Sequence, residues 1–412
     1  MSKPFFLMLL PYLVFISVVA AYQIIITLFC RRSKKPRPII PLKNHRFMAV
    51  VCARNEERVI RALLLSLLNQ DYPRELIDIY VIADNCTDNT VNIARSLGVN
   101  VYERFNPTHL GKGYALEWFF AQILSQKPYA YDAFCVFDAD NIVDAGFFRA
   151  MNHKLCCGEE IVQGYRDMKN PIDNWISISY SFHYWSNNLL YHLPRYNLGL
   201  SPLINGTGFM VSMKVLREQG GWHTKTMTED IEFSIINIAK GRKIGWATDA
   251  IVYDEQPLKF RQSYKQRLRW SVGHLQCFTA YFPTLIKALF KHGNLTIVDT
   301  LLYISGMPML FISFLLLFVY LVGIQIGFTN ESAVFTFALC FFLFTICMPI
   351  AQVVVTMLIE KRLTLARCFR GLLSYPVFLL SWVFINVMSV FKLNDITWER
   401  VEHTRNIEPT RL

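Results

Sequence analysis

The sequence predicts an α/β domain inserted between transmembrane helices, with amphipathic interfacial helices at the junction, and three observations carry the prediction. Hydrophobic residues make up 53% of the 412 and aromatics 14%, more than a water-soluble domain usually carries. The longest apolar runs are gathered towards the two ends. Between them, short β-rich runs alternate with helical ones, as βαβ units do.

Residues 1–30 read as the first span. From Pro4 to Cys30 no charged residue occurs, and a helix rising about 1.5 Å per residue over that length crosses a hydrocarbon core of about 30 Å. The run is too long for the apolar region of a signal peptide and no A-x-A site follows it, so it reads as a retained anchor. Residues 31–45 form a basic linker, with Arg31, Arg32, Lys34, Lys35 and Arg37 among prolines, which the positive-inside bias keeps in the cytosol. The domain at 46–260 is then cytosolic, with strands expected over 46–51, 77–83, 99–103 and 133–137 in a mostly parallel sheet. Residues 261–295 mix basic side chains with Trp270, Phe278, Tyr281 and Phe282, the makeup of interfacial helices, and 175–193 reads the same way. Residues 296–391 offer three more spans, at 299–323, 333–359 and 372–391, and 392–412 form a tail. The result is a multi-pass protein of the plasma membrane with membrane lipids as standing partners. The net charge of +11 sits beside apolar segments as orientation signals, which argues against nucleic acid as a partner. The ten cysteines contain no C-x-x-C pair and read as reduced thiols.

In open α/β sheets ligands collect where loops leave the carboxyl ends of strands, so acidic residues there are read first. The run at 133–137 leads into Asp138-Ala139-Asp140, whose carboxylates at i and i+2 share a face. Hard oxygen donors so spaced suit Mg²⁺ or Mn²⁺, which would also bind a substrate diphosphate. Asp84 ends the run at 77–83 and is placed for a base or ribose, and Glu56, after the first strand, faces the nucleoside. Lys112, between Gly111 and Gly113, offers charge to phosphate, although Walker spacing is missing. Thr228-Glu229-Asp230 opens an apolar-periodic helix. Asp230 is the candidate general base for an attacking hydroxyl, while helix capping would use the same residues structurally. Gln266, Arg269 and Trp270 share one helix face, where Arg can hold a diphosphate and Trp can stack on a sugar. A helix on the membrane surface would carry the same residues.

Taken in order, Asp84, Asp138-Ala139-Asp140, Thr228-Glu229-Asp230 and Gln266-x-x-Arg269-Trp270 resemble the D, D-x-D, T-E-D and Q-x-x-R-W set of the processive family 2 glycosyltransferases. That family includes cellulose, chitin, hyaluronan and poly-N-acetylglucosamine synthases. The resemblance covers about residues 45–285 by motif. It implies a GT-A nucleotide-sugar-binding domain and a UDP-sugar donor, glucose or N-acetylglucosamine. It also implies inverting transfer to a growing β-linked polysaccharide coupled to export. Transfer of one sugar to a membrane lipid is the alternative; a nucleotide-binding transporter or scaffold without turnover is the rival from another class. Carried over by position, Asp84 contacts uridine, Asp138 the nucleotide and Asp140 the metal, Asp230 is the base, and Arg269 and Trp270 line the diphosphate and acceptor ends. Gly206 and Thr207, in Asn205-Gly206-Thr207-Gly208-Phe209, look like the acceptor-side loop, and Glu229 and Gln266 are placed with them. Trp398-x-x-x-Glu402-His403 looks like a tail motif of smaller members. The chain has one N-terminal span where cellulose synthases have several and lacks an F-x-V-T-x-K gating loop, so a channel built by a homo-oligomer stays open as an arrangement.

Overall fold

Strand β1 (Phe47–Ala53) has no polar face: Phe47, Ala49 and Val51 point to one side, Met48 and Val50 to the other, and all five are fully buried. Such a strand requires a helical layer on each side of the sheet. A computed structural model supplies both layers; it describes residues 3–30, 43–127, 129–325, 347–360 and 365–394, with Thr336, Leu339 and Cys340. β1 pairs in parallel with β2 (Ile77–Asp84) and β4 (Ala133–Asp138), and β2 with β3 (Asn100–Arg104). Beyond β4 the sheet is mixed. β7 (Phe209–Ser212) runs antiparallel to both β4 and β6 (Ile161–Met168), and β8 (Gly245–Asp254) is parallel to β6 and antiparallel to the short β5 (Ile142–Val143). The eight strands lie in the order 3-2-1-4-7-6-8-5; the parallel pairing expected from the sequence runs from β3 to β4 and returns between β6 and β8, while β7 and β5 are antiparallel to their neighbours.

Helices α2 (Ile60–Leu68) and α5 (Phe147–Cys156) cover one face through Leu63, Leu67, Phe147 and Met151, with α3 (Thr90–Ser96) beside them. On the other face, α4 (Lys112–Gln126), α8 (Met213–Gln219) and α9 (Glu229–Ala239) close a core in which Trp222 stacks on Phe233 at 4.2 Å and 7°. The same core takes in Cys277 and Leu285 of α10 (Phe260–His292) and Ile297, Leu301 and Ile304 of α11 (Leu295–Gln325). The sheet domain and the first long apolar helix after it therefore share one interior.

Helix α6 (Trp175–Ser186) is packed against the apolar helices near the end of the chain. A capping box at Asn174 starts it, and Ile176 to Trp185 except His183 are buried, packed on α12 (Met348–Glu360) and α13 (Leu365–Phe391). Its aromatic and aliphatic side chains point all round the axis, so it has no polar face to leave in water. A π-helical turn, Asn187–His192, links it to α7 (Leu193–Asn197). α1 (Lys3–Thr27) is fastened to the rest by a buried ion pair: Arg195 holds Asp299 at 2.8 and 3.0 Å, Tyr22 donates to Asp299 at 3.0 Å and Arg195 donates to Gln23 at 2.9 Å.

By length and composition, Leu295–Ser313 and Cys368–Phe391 are apolar enough to cross a membrane, and α1 and α12 add the shorter apolar stretches Val14–Thr27 and Met348–Glu360. Leu315, Phe318, Leu373, Leu380 and Phe384 turn outward from α11 and α13. The span expected at 333–359 is described only in part. Residues 31–42 of the linker, and the tail from 395 with Trp398, Glu402 and His403, lie outside the described residues. Trp222 is a fully buried tryptophan of the domain, so Trp222→Ala should cost about 3–5 kcal/mol and lower the denaturant midpoint; an unchanged midpoint would show that the stack is not part of the stabilising core.

Candidate active site

Parallel pairing brings the carboxyl ends of β1, β2 and β4 to one edge, and β8 ends beside them; there Asp84, Asp138, Asp140 and Asp254 line a cavity of about 550 Å³ with Glu56 and Lys112. α9 starts at the same opening and presents Glu229 and Asp230, while α10 adds Gln266, Arg269 and Trp270 across from them. Residues drawn from positions 56 to 270 thus meet in one space, as the motif order implied. Thr207 is the exception. It is fully buried and does not line the cavity; its Oγ1 accepts the Asp138 N–H at 3.1 Å and donates to Asn141 Oδ1. Thr207 therefore supports the D-x-D turn from beneath and is set back from the cavity. Gly206, next to it, lines the cavity: at φ +75° an added Cβ would stand 3.5 Å from Arg166 Nη1 and 3.8 Å from Asp230 Oδ2.

Gathering carboxylates in one buried place requires cations. Lys112 Nζ lies 2.6 Å from Asp138 Oδ1 and 2.7 Å from the Gly206 carbonyl, so its charge is engaged by protein where the sequence suggested phosphate. Burial disfavours that ammonium, yet Asp138 and Glu229 outweigh burial and raise its pKa. Arg166 is paired through Nε and Nη2 with Asp254, reaches the Asn205 carbonyl at 3.3 Å and lies 4.3 Å from the Tyr184 ring. Arg104 holds Asp84 at 2.5 Å; burial raises the Asp84 pKa and Arg104 works against the rise. Asn141 ties the acidic end together, donating to Asp140 at 3.4 Å and to Asp254 at 3.2 Å. Lys169 is buried beside Asp140, Glu255 and Asp254, its Nζ has no hydrogen-bond partner among the described residues, and burial pulls its pKa down.

Glu229 and Asp230 are open to the cavity yet lie deep among protein atoms. Burial, then the neighbouring Asp230, pushes Glu229 up to about 7, and burial raises Asp230 as well, opposed by Lys112 and Arg166. Both carboxyls at the start of α9 therefore hold protons more tightly than free acids do. Their position is set by α10: a Cβ on Gly273 would fall 2.6 Å from Thr228 Cγ2 and 2.7 Å from the Thr228 backbone nitrogen. Three turns of α10 thus carry both the close approach at Gly273 and the Gln266, Arg269 and Trp270 face. Trp270 packs against Trp382 of α13 at 6.4 Å and against Tyr180 at 6.1 Å, and Gln266 accepts from Tyr180 at 3.2 Å.

Arg166 and Asp254 were not singled out from the sequence, although Asp254 ends a strand as Asp84 and Asp138 do and the same rule finds it. Tyr303 and Met307 of α11 and Trp382 and Asn386 of α13 also line the cavity. A polar residue inside an apolar run, such as Asn386, was the available signal for these. Gly273→Ala should push Thr228 outward and reduce turnover, on the order of a hundredfold, for a displacement of about 1 Å at the catalytic carboxylates. Circular dichroism should show the fold retained, and wild-type turnover by this variant would contradict the coupling.

The profile of the family described as "Glycosyltransferase like family 2" matches residues 45–273, more than half of the chain. A probable glycosyltransferase, YdaM, of Bacillus subtilis is 25% identical over 363 residues, 83% of this chain and 81% of the relative. The β-monoglucosyldiacylglycerol synthase of a Nostoc species is 26% identical over 273 residues, 63% of this chain and 55% of the synthase, so the match spans little more than half of that relative's length. Among solved structures, the mannosyltransferase PcManGT of Pyrobaculum calidifontis, in complex with GDP-mannose and Mn²⁺, superposes with a TM-score of 0.57 at 15% identity, covering 89% of this chain and 94% of that one. This last likeness concerns the fold. With the matched segment containing the strand-end carboxylates, Thr228-Glu229-Asp230 and the Gln266 to Trp270 face, the chain belongs to glycosyltransferase-like family 2 and is a glycosyltransferase.

Proposed function

We propose that this enzyme transfers one hexose from a UDP-sugar, with inversion, to a hydroxyl of a membrane lipid on the cytosolic side of the plasma membrane. The observation that carries the reading is the cavity itself: it begins among Asp84, Asp138 and Asp140 and continues to Tyr303 and Met307 of α11 and to Trp382 and Asn386 of α13, the helices that contain the two apolar stretches long enough to span. An acceptor lying between those helices would bring its polar end to Asp230 and keep its apolar part in lipid. The β-monoglucosyldiacylglycerol synthases among the relatives make, by name, a β-linked glucolipid, which supports a hexose and an inverted linkage. This reading replaces the growing polysaccharide expected from the motif set as the first choice. Polymer synthesis remains the second reading because the Gln266-x-x-Arg269-Trp270 face favours it.

Each residue then has a task. Asp84 and Glu56 bind the nucleoside. Asp138, fixed by Lys112 and by Thr207 beneath it, faces the nucleotide, and Arg269 holds the diphosphate by paired N–H donors. Asp230 accepts the proton of the acceptor hydroxyl as it attacks the anomeric carbon from the side opposite UDP. Trp270, Gln266, Glu229 and Gly206 border the acceptor. Asp140, with Asp138, would hold Mg²⁺ or Mn²⁺, which when bound neutralises charge developing on the departing diphosphate. The buried Asp140, a hard oxygen donor two residues from Asp138, fits that assignment. Among the described residues no three His, Cys, Asp or Glu side chains form a ready-made cage, and a hard cation bound through one or two carboxylates completes its shell from water and diphosphate oxygens.

Released UDP, measured over a panel of nucleotide sugars with membrane lipid present, identifies the donor. With that donor, Asp230→Asn should lower turnover by about 10²–10⁴-fold while donor still binds; wild-type turnover would remove Asp230 from the base role. Because a protonated carboxyl cannot accept the hydroxyl proton and burial raises the Asp230 pKa, activity should fall on acidification, with its midpoint above the free aspartate value of about 4. A rate independent of pH from about 4 to 8 would contradict a carboxylate base.

A further inference from the structure

We infer that α13 does not cross the membrane but lies along its surface on the side of the catalytic domain, with Phe369, Leu373, Val377, Leu380 and Phe384 seated among the acyl chains, so that Asn394 stays on that same side. The length and composition of Cys368–Phe391 suit a span equally well; its contacts decide against one.

The helix has two faces. Phe369, Leu373, Val377, Leu380 and Phe384, spaced by three or four residues, are each more than half exposed, while Cys368, Tyr375, Phe378 and Ile385 are buried. Large apolar side chains gathered on one face need an apolar medium. Arg370 near one end and Lys392 just past the other are exposed cations, able to reach headgroup phosphates. A span packed beside other helices would have two such faces as well, so the choice turns on what the inner face touches.

The inner face is held by the catalytic domain from end to end. Near the start of α13 an added Cβ on Gly371 would collide with Ile178 of α6. Midway, Arg267 of α10 donates to the Phe378 carbonyl at 3.3 Å and to Ser381 at 2.7 Å, and Trp270 packs against Trp382. Further on, Ser271 donates to Asn386 at 2.7 Å, and Gln276 donates to the Leu393 carbonyl at 3.1 Å while accepting from the Met227 N–H at 3.0 Å. From position 371 to position 393 the chain advances roughly 33 Å at 1.5 Å per residue, the whole depth of a hydrocarbon core of about 30 Å. Were α13 upright in the bilayer, α10 would stand in it alongside, with the exposed Arg261 and Lys265 in lipid and the loop before Glu229 at one end. Exposed charges and irregular backbone are costly at that depth. Helix α11 shows the contrast: Ile297, Leu301 and Ile304 belong to the domain core, whereas Leu315, Phe318 and Val322 lie beyond it and turn outward.

The side on which α13 begins is fixed as well. Glu360, the last residue of α12, accepts from Tyr165 of β6 at 2.9 Å, so α13 starts beside the sheet and a crossing would carry Asn394 to the far face. An in-plane α13 sets the cavity-lining Trp382 and Asn386 at headgroup depth and not in mid-bilayer.

The test uses the full chain carrying Asn394→Cys, in sealed inside-out and right-side-out membrane vesicles treated with a membrane-impermeant maleimide and mapped by peptide mass. The exposed Cys157, which follows α5, reports the side of the catalytic domain. UDP release equal to that of the wild type confirms that the variant is folded. Label should appear at positions 157 and 394 together in one vesicle type and be lost from both in the other. Label at position 394 from the face opposite Cys157, or from neither face, would overturn the in-plane placement. The readout does not involve the acceptor, so either result leaves the lipid-acceptor reading to its own product assay.

Discussion

The structure depends on holding several carboxylates at one end of a sheet without letting them repel each other apart. Asp138 and Asp254 each have a cation at salt-bridge distance, Lys112 and Arg166, and Asp84 has Arg104. Removing one partner of a fully buried pair, Arg104–Asp84 or Arg166–Asp254, costs about 3–5 kcal/mol, because the remaining charge is stranded. The pairs are therefore as much a condition of folding as of chemistry. They also fix the carboxylates before substrate arrives, so the reacting groups need little reorganisation.

Helix α10 transmits this order to the apolar helices. One stretch of it presses Gly273 against Thr228, at the start of the helix that carries Asp230, and sets Trp270 against Trp382 of α13. Arg267, fully buried, donates to Ser381 at 2.7 Å and lies 4.2 Å from the Phe378 ring. Further along, α10 and α11 enter the core that begins at the sheet. The strand-end carboxylates and the candidate spans are consequently parts of one packed body, and a single cavity passes from one to the other.

Much of the donor end was legible in the sequence. Asp84 and the Asp138-Ala139-Asp140 triplet end β-rich runs, and a parallel sheet aligns such ends by its hydrogen bonding. The failures have equally local causes. Thr207 lies in a turn between Gly206 and Gly208, both at positive φ, where the direction of a side chain follows from backbone angles that composition does not encode; it points under the D-x-D turn. The run at 175–193 is aromatic and polar in a mixture that reads as interfacial; most of its first helix is covered by protein, with Trp185 donating to Asp167 and Ser181 to the Pro171 carbonyl.

The sequence by itself determined the class of protein: an α/β domain, carboxylates at strand ends, apolar runs beyond it and a set of motifs in family order. Those properties reside in local periodicity and in residue type, which act over a few neighbours. Tertiary structure alone decided which cation answers which carboxylate, as with Arg166 and Asp254, 88 positions apart, and that the cavity holding the strand-end carboxylates reaches α11 and α13. Charge pairing and cavity shape are properties of distance in space, and a linear order of residues does not contain them until the chain is packed.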